Sequence, residues 1–262
     1  MTGRRLAITG IAALSALATP SSGPAARPLA AIKEHGSIMV CANPNALPYA
    51  AKKGDRQGVQ IELAKALADQ LGVSLEVGWV VFPFEIQRVD CDIVLDSIVD
   101  KEVQDERHVR LSEPYQQGGV ALAFRAGVAP VASYADLKRG LRVGAMVSSL
   151  ARLYLAQHGI DTIPYTFEDE MVDAVGKGEL DVAAISPATI GYYNLSHPAA
   201  PLQSTMAFAS VPDLNWSVAV GMRKADDALV DSVNAALKKL LADGTVHHIY
   251  ASYGIDQRTP EP

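Results

Sequence analysis

The chain has 262 residues, of which 49% are hydrophobic and 20% are charged, so it carries enough apolar side chains for one large core or two modest ones. Its formal net charge of -6 comes from 23 basic and 29 acidic residues, and the basic residues are dispersed along the sequence. This pattern argues against a nucleic-acid partner, because nucleic-acid-binding proteins gather Lys and Arg on one face or arm.

Residues 1–30 have the layout of a secretory leader. Arg4 and Arg5 precede an apolar run that ends at Ala18, and the chain is then rich in Pro, Ser and Ala. The run is shorter than the roughly 20 residues that span a bilayer, and residues 16–18 (Ala-Leu-Ala) form a small-x-small cleavage pattern. We therefore predict export to the periplasm with cleavage near residue 18 and no membrane span in the mature chain. An uncleaved membrane anchor is the alternative.

After the leader, short β-rich runs alternate with helical patterns, which indicates an α/β protein built from βαβ units. The first group of elements comprises strands over 37–42, 73–81 and 91–95 and a helix over 58–71. In that helix Leu63, Leu67 and Leu71 form one apolar stripe, and Gly72 ends it.

The same alternation begins again near residue 120, which predicts a second sheet. The predicted strands cover 120–124, 141–146, 180–185 and 216–222, and the predicted helices cover 134–138, 149–157, 168–176 and 228–241. The last helix carries apolar residues at helical spacing, so one of its faces must pack against the protein.

Two cysteines, Cys41 and Cys91, are the only ones in the sequence. In an exported chain an even cysteine count favours one disulfide, which here closes a loop of about 50 residues. Two buried thiols are the alternative, because spacing alone gives no geometry.

Seven motifs occur in an order that resembles the type II periplasmic solute-binding proteins, the family that includes the amino-acid receptors of ABC transporters. The resemblance covers residues 38–255. The motifs are Asn43-Pro44 with Leu47-Pro48-Tyr49, the 58–72 helix, Cys91-Asp92-Ile93-Val94, Leu111-Ser112-Glu113-Pro114-Tyr115, Asp136-Leu137-Lys138 before Arg142-Val143-Gly144, Gly178-Glu179-Leu180-Asp181, and Val220-Gly221-Met222-Arg223-Lys224.

The resemblance implies a two-lobed type II fold with mixed, mostly parallel sheets and a cleft between the lobes. Residues 31–118 and 224–257 are then expected to form lobe 1, residues 119–223 lobe 2, and residues 258–262 a tail. Helix N-termini and strand ends of both lobes would face the cleft, where a polar ligand can be enclosed by hinge closure.

The paired charges with which the family's amino-acid receptors hold a zwitterion are missing from the matching positions. The arginine position falls on Gln104 or Asp105, and the lobe-two acid position falls on Ser186. Ser148 and Ser149 occupy the backbone nest at a helix start, so polar capacity remains there. A small polar solute is therefore compatible with the cleft, whereas a free α-amino acid is disfavoured.

A narrower resemblance is to the quinoprotein-dehydrogenase-associated binding proteins, which are accessory proteins of methanol oxidation. Its residues are the Cys41-to-Pro48 segment, Cys91-Asp92, and Asp181-Val182-Ala183 followed by Pro187 and Gly191-Tyr192-Tyr193. It implies that the cleft receives part of a quinoprotein (methanol) dehydrogenase or another periplasmic protein. The interval between Trp79 and Cys91 is short for that branch, which predicts a truncated or missing helix.

The candidate cleft residues are taken from both family resemblances. They are Asn43, Asn45, Tyr49, Asp96, Ser97, Tyr115, Ser148, Ser149, Ser186 and Tyr193. Tyr49 and Tyr115 can equally be ordinary half-buried tyrosines, and Trp79 and Phe82 are expected in the core.

We expect neither a metal, a cofactor nor catalysis. Asp90, Asp92, Asp96 and Asp100 lack the spacing and the glycine of a calcium loop, and no nucleophile elbow, Walker loop or dinucleotide turn occurs. The favoured functional hypothesis is an accessory protein of a quinoprotein dehydrogenase, and the alternative is the substrate receptor of an ABC importer. An enzyme is the third hypothesis, because fold alone does not decide activity.

Overall fold

The structure is a computed structural model that describes residues 27–100, 109–137, 140–223 and 225–260. Its strands are β1 Ser37–Ala42, β2 Asn45–Ala46, β3 Ala50–Ala51, β4 Ser74–Trp79, β5 Ile93–Ile98, β6 Val109–Leu111, β7 Gln116–Gly119, β8 Ala121–Phe124, β9 Val143–Met146, β10 Thr162–Tyr165, β11 Val182–Ile185, β12 Gln203–Thr205 and β13 Asn215–Arg223. Its α-helices are α1 Leu29–His35, α2 Val59–Leu71, α3 Ile86–Val89, α4 Leu150–Gln157, α5 Glu168–Gly176, α6 Pro187–Ser196, α7 Asp227–Ala242 and α8 Thr245–Ser252.

The strands form two principal sheets, each of which is the centre of one lobe. The first sheet has the order β4-β1-β5-β13-β6, with β7 also paired to β13, and the second has the order β10-β9-β11-β8-β12. The fold class predicted from sequence is confirmed: both sheets are mixed and helices cover them. Antiparallel pairing takes a larger share than the βαβ pattern suggests, because β13 runs antiparallel to β5, β6 and β7.

The chain crosses from the first sheet to the second between β7 and β8, and it returns at β13. The predicted second-lobe range of 119–223 is therefore too long at its C-terminal end, since residues 215–223 pair within the first sheet. An apolar run such as Val218–Met222 is compatible with burial in either sheet, and only the pairing decides which one takes it.

Local signals explain the helix boundaries. Helix α2 begins after Gly58 and ends at Gly72, whose φ of 65° is left-handed, so the prediction over 58–71 is confirmed. Ser149 caps α4 by accepting from the Arg152 amide, and Ser186 caps α6 by accepting from the Ala188 amide. Helix α6 is not among the elements predicted from sequence, although Ser186-Pro187 is a typical helix start.

Both ends of the folded body extend beyond the predicted limits. Helix α1 begins at Leu29, and Arg27 donates two hydrogen bonds to the fully buried carboxylate of Asp92, so a leader that reaches residue 30 is too long. The rest of the predicted leader, including the cleavage point, lies outside the described residues. At the other end Arg258 bonds to β7, so the predicted tail does not begin at 258.

Separate apolar cores stabilise the two lobes. In the first lobe the stripe of α2 and the buried face of α7 pack on β1, β5 and β13. In the second lobe each face of the sheet carries its own buried cluster. Ala188 of α6 belongs to the first-lobe core although its helix follows a second-lobe strand, so α6 connects the two lobes.

Candidate functional site

The two lobes meet where Tyr49 faces Ser186. Tyr49 lies in the turn of the small β2–β3 hairpin that follows β1, and Ser186 follows β11 directly. Their hydroxyl oxygens are 2.5 Å apart. The carboxyl ends of parallel strands are the usual ligand positions of α/β sheets, so this contact marks the seam between the lobes as the candidate site.

On the second-lobe side a carboxylate lies directly behind Ser186. Glu168, the first residue of α5, accepts a hydrogen bond from the Ser186 amide at 3.1 Å and another from the Thr189 hydroxyl. Burial raises the pKa of Glu168, and these two hydrogen bonds oppose the shift. Glu168 is not among the residues predicted from sequence, because it precedes Ser186 by 18 residues and resembles one of three acids in an exposed first turn.

On the first-lobe side Asp96 is the central carboxylate. It has a left-handed backbone, with φ of 54°, near the end of β5. It accepts hydrogen bonds from the Gln60 amide at 2.8 Å and the Tyr115 hydroxyl at 2.7 Å, with Tyr250 at 3.4 Å, and its own amide donates to Tyr115 Oη at 2.8 Å. Burial raises the pKa of Asp96, and the side-chain hydrogen bonds oppose that shift.

These groups influence one another electrostatically. The pKa of the Tyr49 phenol is raised, first by burial and then by the negative charges of Glu168 and Asp96. We call Tyr49, Gln60, Asp96, Glu168 and Ser186 the seam cluster. Among the described residues, the hydrogen-bond partners of its two carboxylates are uncharged hydroxyl, amide and backbone N–H groups. The cluster is therefore polar and acidic, which suits a neutral or cationic group better than an anion.

Two predicted cleft tyrosines lie elsewhere. Tyr115 is fully buried in the first-lobe core, where its hydroxyl is hydrogen-bonded to both the carboxylate and the amide of Asp96. It therefore positions Asp96 and does not line the cleft itself. Tyr193 packs within the second lobe, where its ring stacks on His197 at 4.0 Å. Its neighbour Tyr192 instead packs on the first-lobe core, because adjacent helical residues point about 100° apart.

The remaining predicted polar residues have local roles. The Asn43 side chain accepts from the Asn45 amide in a turn, and Ser97 donates to the Val94 carbonyl within the first sheet. Ser148 is exposed with a left-handed φ of 59°, immediately before the capping residue Ser149. Any contact of these five residues with a ligand remains a prediction.

The predicted cysteine pair is confirmed. Cys41 at the end of β1 and Cys91 before β5 form a disulfide, and both are buried beside Val80. In the interval between Trp79 and Cys91 the predicted helix is truncated to one 3-10 turn and the single turn of α3. Phe82 was expected in the core, but it is 56% exposed and stacks on Phe84, which is 75% exposed. Within the described residues, the shortened helix does not cover these two rings.

The aspartates that alternate near β5 serve different partners. Asp90 pairs with Arg223, Asp92 with Arg27, and Asp96 belongs to the seam cluster. In the ranges that the structure describes, no group of three His, Cys, Asp or Glu residues is arranged to hold a metal ion. Across those same ranges no helix combines the length and the hydropathy that crossing a bilayer requires.

Comparison with known proteins agrees with this architecture. The profile of the bacterial extracellular solute-binding proteins, family 3, matches residues 38–256. A probable histidine-binding protein of Neisseria gonorrhoeae is 27% identical over 94% of both chains. The membrane-bound lytic murein transglycosylase F of Desulfosudis oleivorans is 29% identical over 85% of this chain, which spans about half (49%) of that relative's length.

Solved structures show the same fold at low sequence identity. An ancestral cationic amino acid solute-binding protein superposes with a TM-score of 0.74 at 23% identity, over 86% of this chain and 99% of that one. The periplasmic binding protein XoxJ from Methylobacterium extorquens AM1 superposes with a TM-score of 0.67 at 19% identity, over 85% of this chain and 100% of its own. At these identities the likeness concerns the fold alone.

Proposed function

The chain belongs to the bacterial extracellular solute-binding proteins of family 3, and from that premise we propose that it is an exported receptor that encloses a small polar, amine-bearing solute between its lobes. Residues 1–18 act as a cleaved leader, the protein works in the periplasm, and it delivers the solute to an ABC importer. It binds its solute without catalysing a reaction and without a metal ion or a cofactor.

The observation that carries this proposal is the seam cluster. Asp96 of the first lobe and Glu168 of the second lobe are both half-buried, and burial raises the pKa of each. An ammonium group placed between them would replace lost solvation with charge-assisted hydrogen bonds, each worth about 1.5–3 kcal/mol. The relatives named for histidine and cystine support this class of ligand.

The binding site must open to admit the solute. The Tyr49 and Ser186 hydroxyls bond to each other in the described state, so a bound solute would take over one or both of these hydroxyls. Closure of two lobes around a ligand is the usual motion of this architecture. Tyr49 then contributes both an aromatic face and a hydroxyl to the ligand.

A thermal-shift screen of the mature protein tests this proposal. The probes are histidine, arginine, cystine and simple diamines, with dicarboxylates as the opposite charge class. A ligand at a hundredfold excess over its Kd stabilises the fold by about 2.7 kcal/mol, which corresponds to roughly 5–10 °C in Tm. Asp96→Asn and Glu168→Gln should each weaken binding by tenfold or more, whereas Asp69→Asn on the exposed face of α2 should not. Preference for dicarboxylates would overturn the proposed ligand class.

A second candidate function is an accessory protein of a quinoprotein (methanol) dehydrogenase. It is favoured by an exposed apolar patch, made of Val81, Phe82 and Phe84, beside the disulfide. The amides of Val81 and Phe82 both donate to Glu85 Oε2, at 2.8 and 3.0 Å, so the loop that carries the rings is held in one shape. Pre-organised aromatic residues are typical anchors of protein interfaces.

Native mass spectrometry of the mature protein mixed with a quinoprotein methanol dehydrogenase tests this second function. A complex should form at micromolar concentration, and Phe82→Ser with Phe84→Ser should weaken it at least tenfold. The matched control is Leu150→Ser with Leu153→Ser, an apolar pair on the second lobe that is also more than half exposed. Absence of a complex, or equal loss with both pairs, would contradict the accessory function.

A further inference from the structure

The C-terminal segment of residues 253–258, which we call the strap, touches both lobes and the connection between them. It follows α8 of the first lobe, and Tyr253 and Ile255 are buried in that lobe's core. Beyond Ile255 the chain runs along β7, one of the two strands through which the lobes are joined. The contacts of the strap therefore depend on how the two lobes are arranged.

The strap is hydrogen-bonded along the edge of β7 that lies opposite β13. The Gln117 amide donates to the Arg258 carbonyl at 3.0 Å, and the Arg258 amide donates to Gln116 Oε1 at 2.8 Å. The Arg258 guanidinium donates to the carbonyls of Gln117 at 2.9 Å and Gly118 at 3.3 Å. Because β13 occupies the other edge of β7, this strand is held from both sides just before the chain enters the second lobe.

The strap also packs against the helix that connects the lobes. Gly254 has a left-handed φ of 71° and lies against Gly191 of α6, so closely that a Cβ at Gly191 would overlap the Gly254 carbonyl oxygen and lie 3.0 Å from its carbon. The chain neighbours of the two glycines also meet, and the rings of Tyr192 and Tyr253 are 6.1 Å apart. This contact requires glycine at 191 and exists only while α6 stays against the first lobe.

We propose that the strap is an interlobe latch that sets the balance between the closed and the open arrangement before any ligand binds. Separation of the lobes would break the Gly191–Gly254 contact and turn the second lobe about β7 and β13, and Arg258 holds β7 on the first-lobe side. The strap thus favours the closed state by contacts that the open state lacks, and this difference in contacts is what shifts a two-state equilibrium. The inference rests on the two-lobed fold and does not require the proposed solute.

The test compares ligand-free variants by small-angle X-ray scattering, with circular dichroism to verify folding. Gly191→Ala adds one methyl group at the contact, and Ala is favoured over Gly within a helix by about 1 kcal/mol, so α6 itself should persist. We expect a larger radius of gyration with an unchanged helical spectrum. Ser196→Ala, an exposed substitution in the same helix, is the matched control and should scatter like the unaltered protein.

Arg258→Ala provides the second arm, because it leaves α6 untouched and decides the question if Gly191→Ala fails to fold. Loss of its bonds to β7 should raise the radius of gyration and accelerate hydrogen exchange of the Gln117 amide about tenfold or more. Arg258→Lys keeps the positive charge but lacks the planar set of N–H donors of the guanidinium. It should therefore give an intermediate rate of hydrogen exchange at the Gln117 amide. Unchanged scattering in both Gly191→Ala and Arg258→Ala would overturn the latch, whereas a failed solute screen would overturn only the proposed receptor function.

Discussion

The hydroxyl of Tyr49 in the first lobe lies 2.5 Å from the hydroxyl of Ser186 in the second, and the two residues are 137 positions apart in the chain. The same Ser186 caps α6 and receives support from Glu168 through its backbone amide. One serine therefore joins a helix start, a buried acid and the opposite lobe. A substitution of Ser186 should therefore affect the start of α6, the hydrogen bonding of Glu168 and the contact with Tyr49.

The Tyr49–Ser186 bond can be measured by a double-mutant cycle. Tyr49→Phe and Ser186→Ala each remove one hydroxyl, and the coupling free energy from urea unfolding should be about 1 kcal/mol, the net worth of a typical hydrogen bond. Tyr165→Phe paired with Ser186→Ala is the control, because within the described residues the Tyr165 hydroxyl makes no hydrogen bond. Equal coupling in the two cycles would show that the seam bond does not stabilise the fold.

The disulfide should contribute substantially to stability. Cys41 and Cys91 are separated by 50 positions, and on the chain-entropy account a loop of that size is worth about 4 kcal/mol. Cys41→Ala with Cys91→Ala should lower the free energy of unfolding by about that amount, as measured in urea. A reducing agent should have a similar effect on the unaltered protein and none on the double variant. A loss below about 1 kcal/mol would argue against the entropic account.

Asp96 should make stability depend on pH. Because burial raises its pKa in the folded state, the folded protein binds more protons than the unfolded chain between the ordinary carboxyl pKa and the raised one. Stability from this group is therefore greatest below that window and falls as pH rises through it. Unfolding free energies at pH 4, near the ordinary carboxyl pKa of about 3.9, and at pH 8 should differ more in the unaltered protein than in Asp96→Asn, and parallel values would contradict the assignment.

Asp181 should act in the opposite sense. It is nearly buried, and hydrogen bonds from the guanidinium and amide of Arg142 and from Arg125 hold its pKa well below the usual range. Its contribution is present above the ordinary carboxyl pKa of about 3.9 and is lost as pH falls further. Because both arginines are partly exposed, Asp181→Asn should cost only about 1–2 kcal/mol at pH 7 and less at pH 3.

Sequence patterns were informative wherever a neighbouring residue dictates the backbone. Glycines at 58 and 72 bound α2, Ser149 caps α4, and the cysteine count anticipated the bond between Cys41 and Cys91. The order of short strands and helices was enough to indicate two sheets, because the connections of βαβ units are short and follow simple rules, whereas the two lobes were implied by the family resemblance.

Only the tertiary structure decided which side chains share the seam. Nothing in the local sequence distinguishes Glu168 from the acids beside it, Tyr193 from Tyr192, or a β13 that belongs to the first sheet from one that belongs to the second. Each choice depends on strand order and helix rotation, which are set by the packing of apolar faces over long chain distances. The sequence by itself determined most of the longer elements and favoured the covalent crosslink, and the packing determined the site.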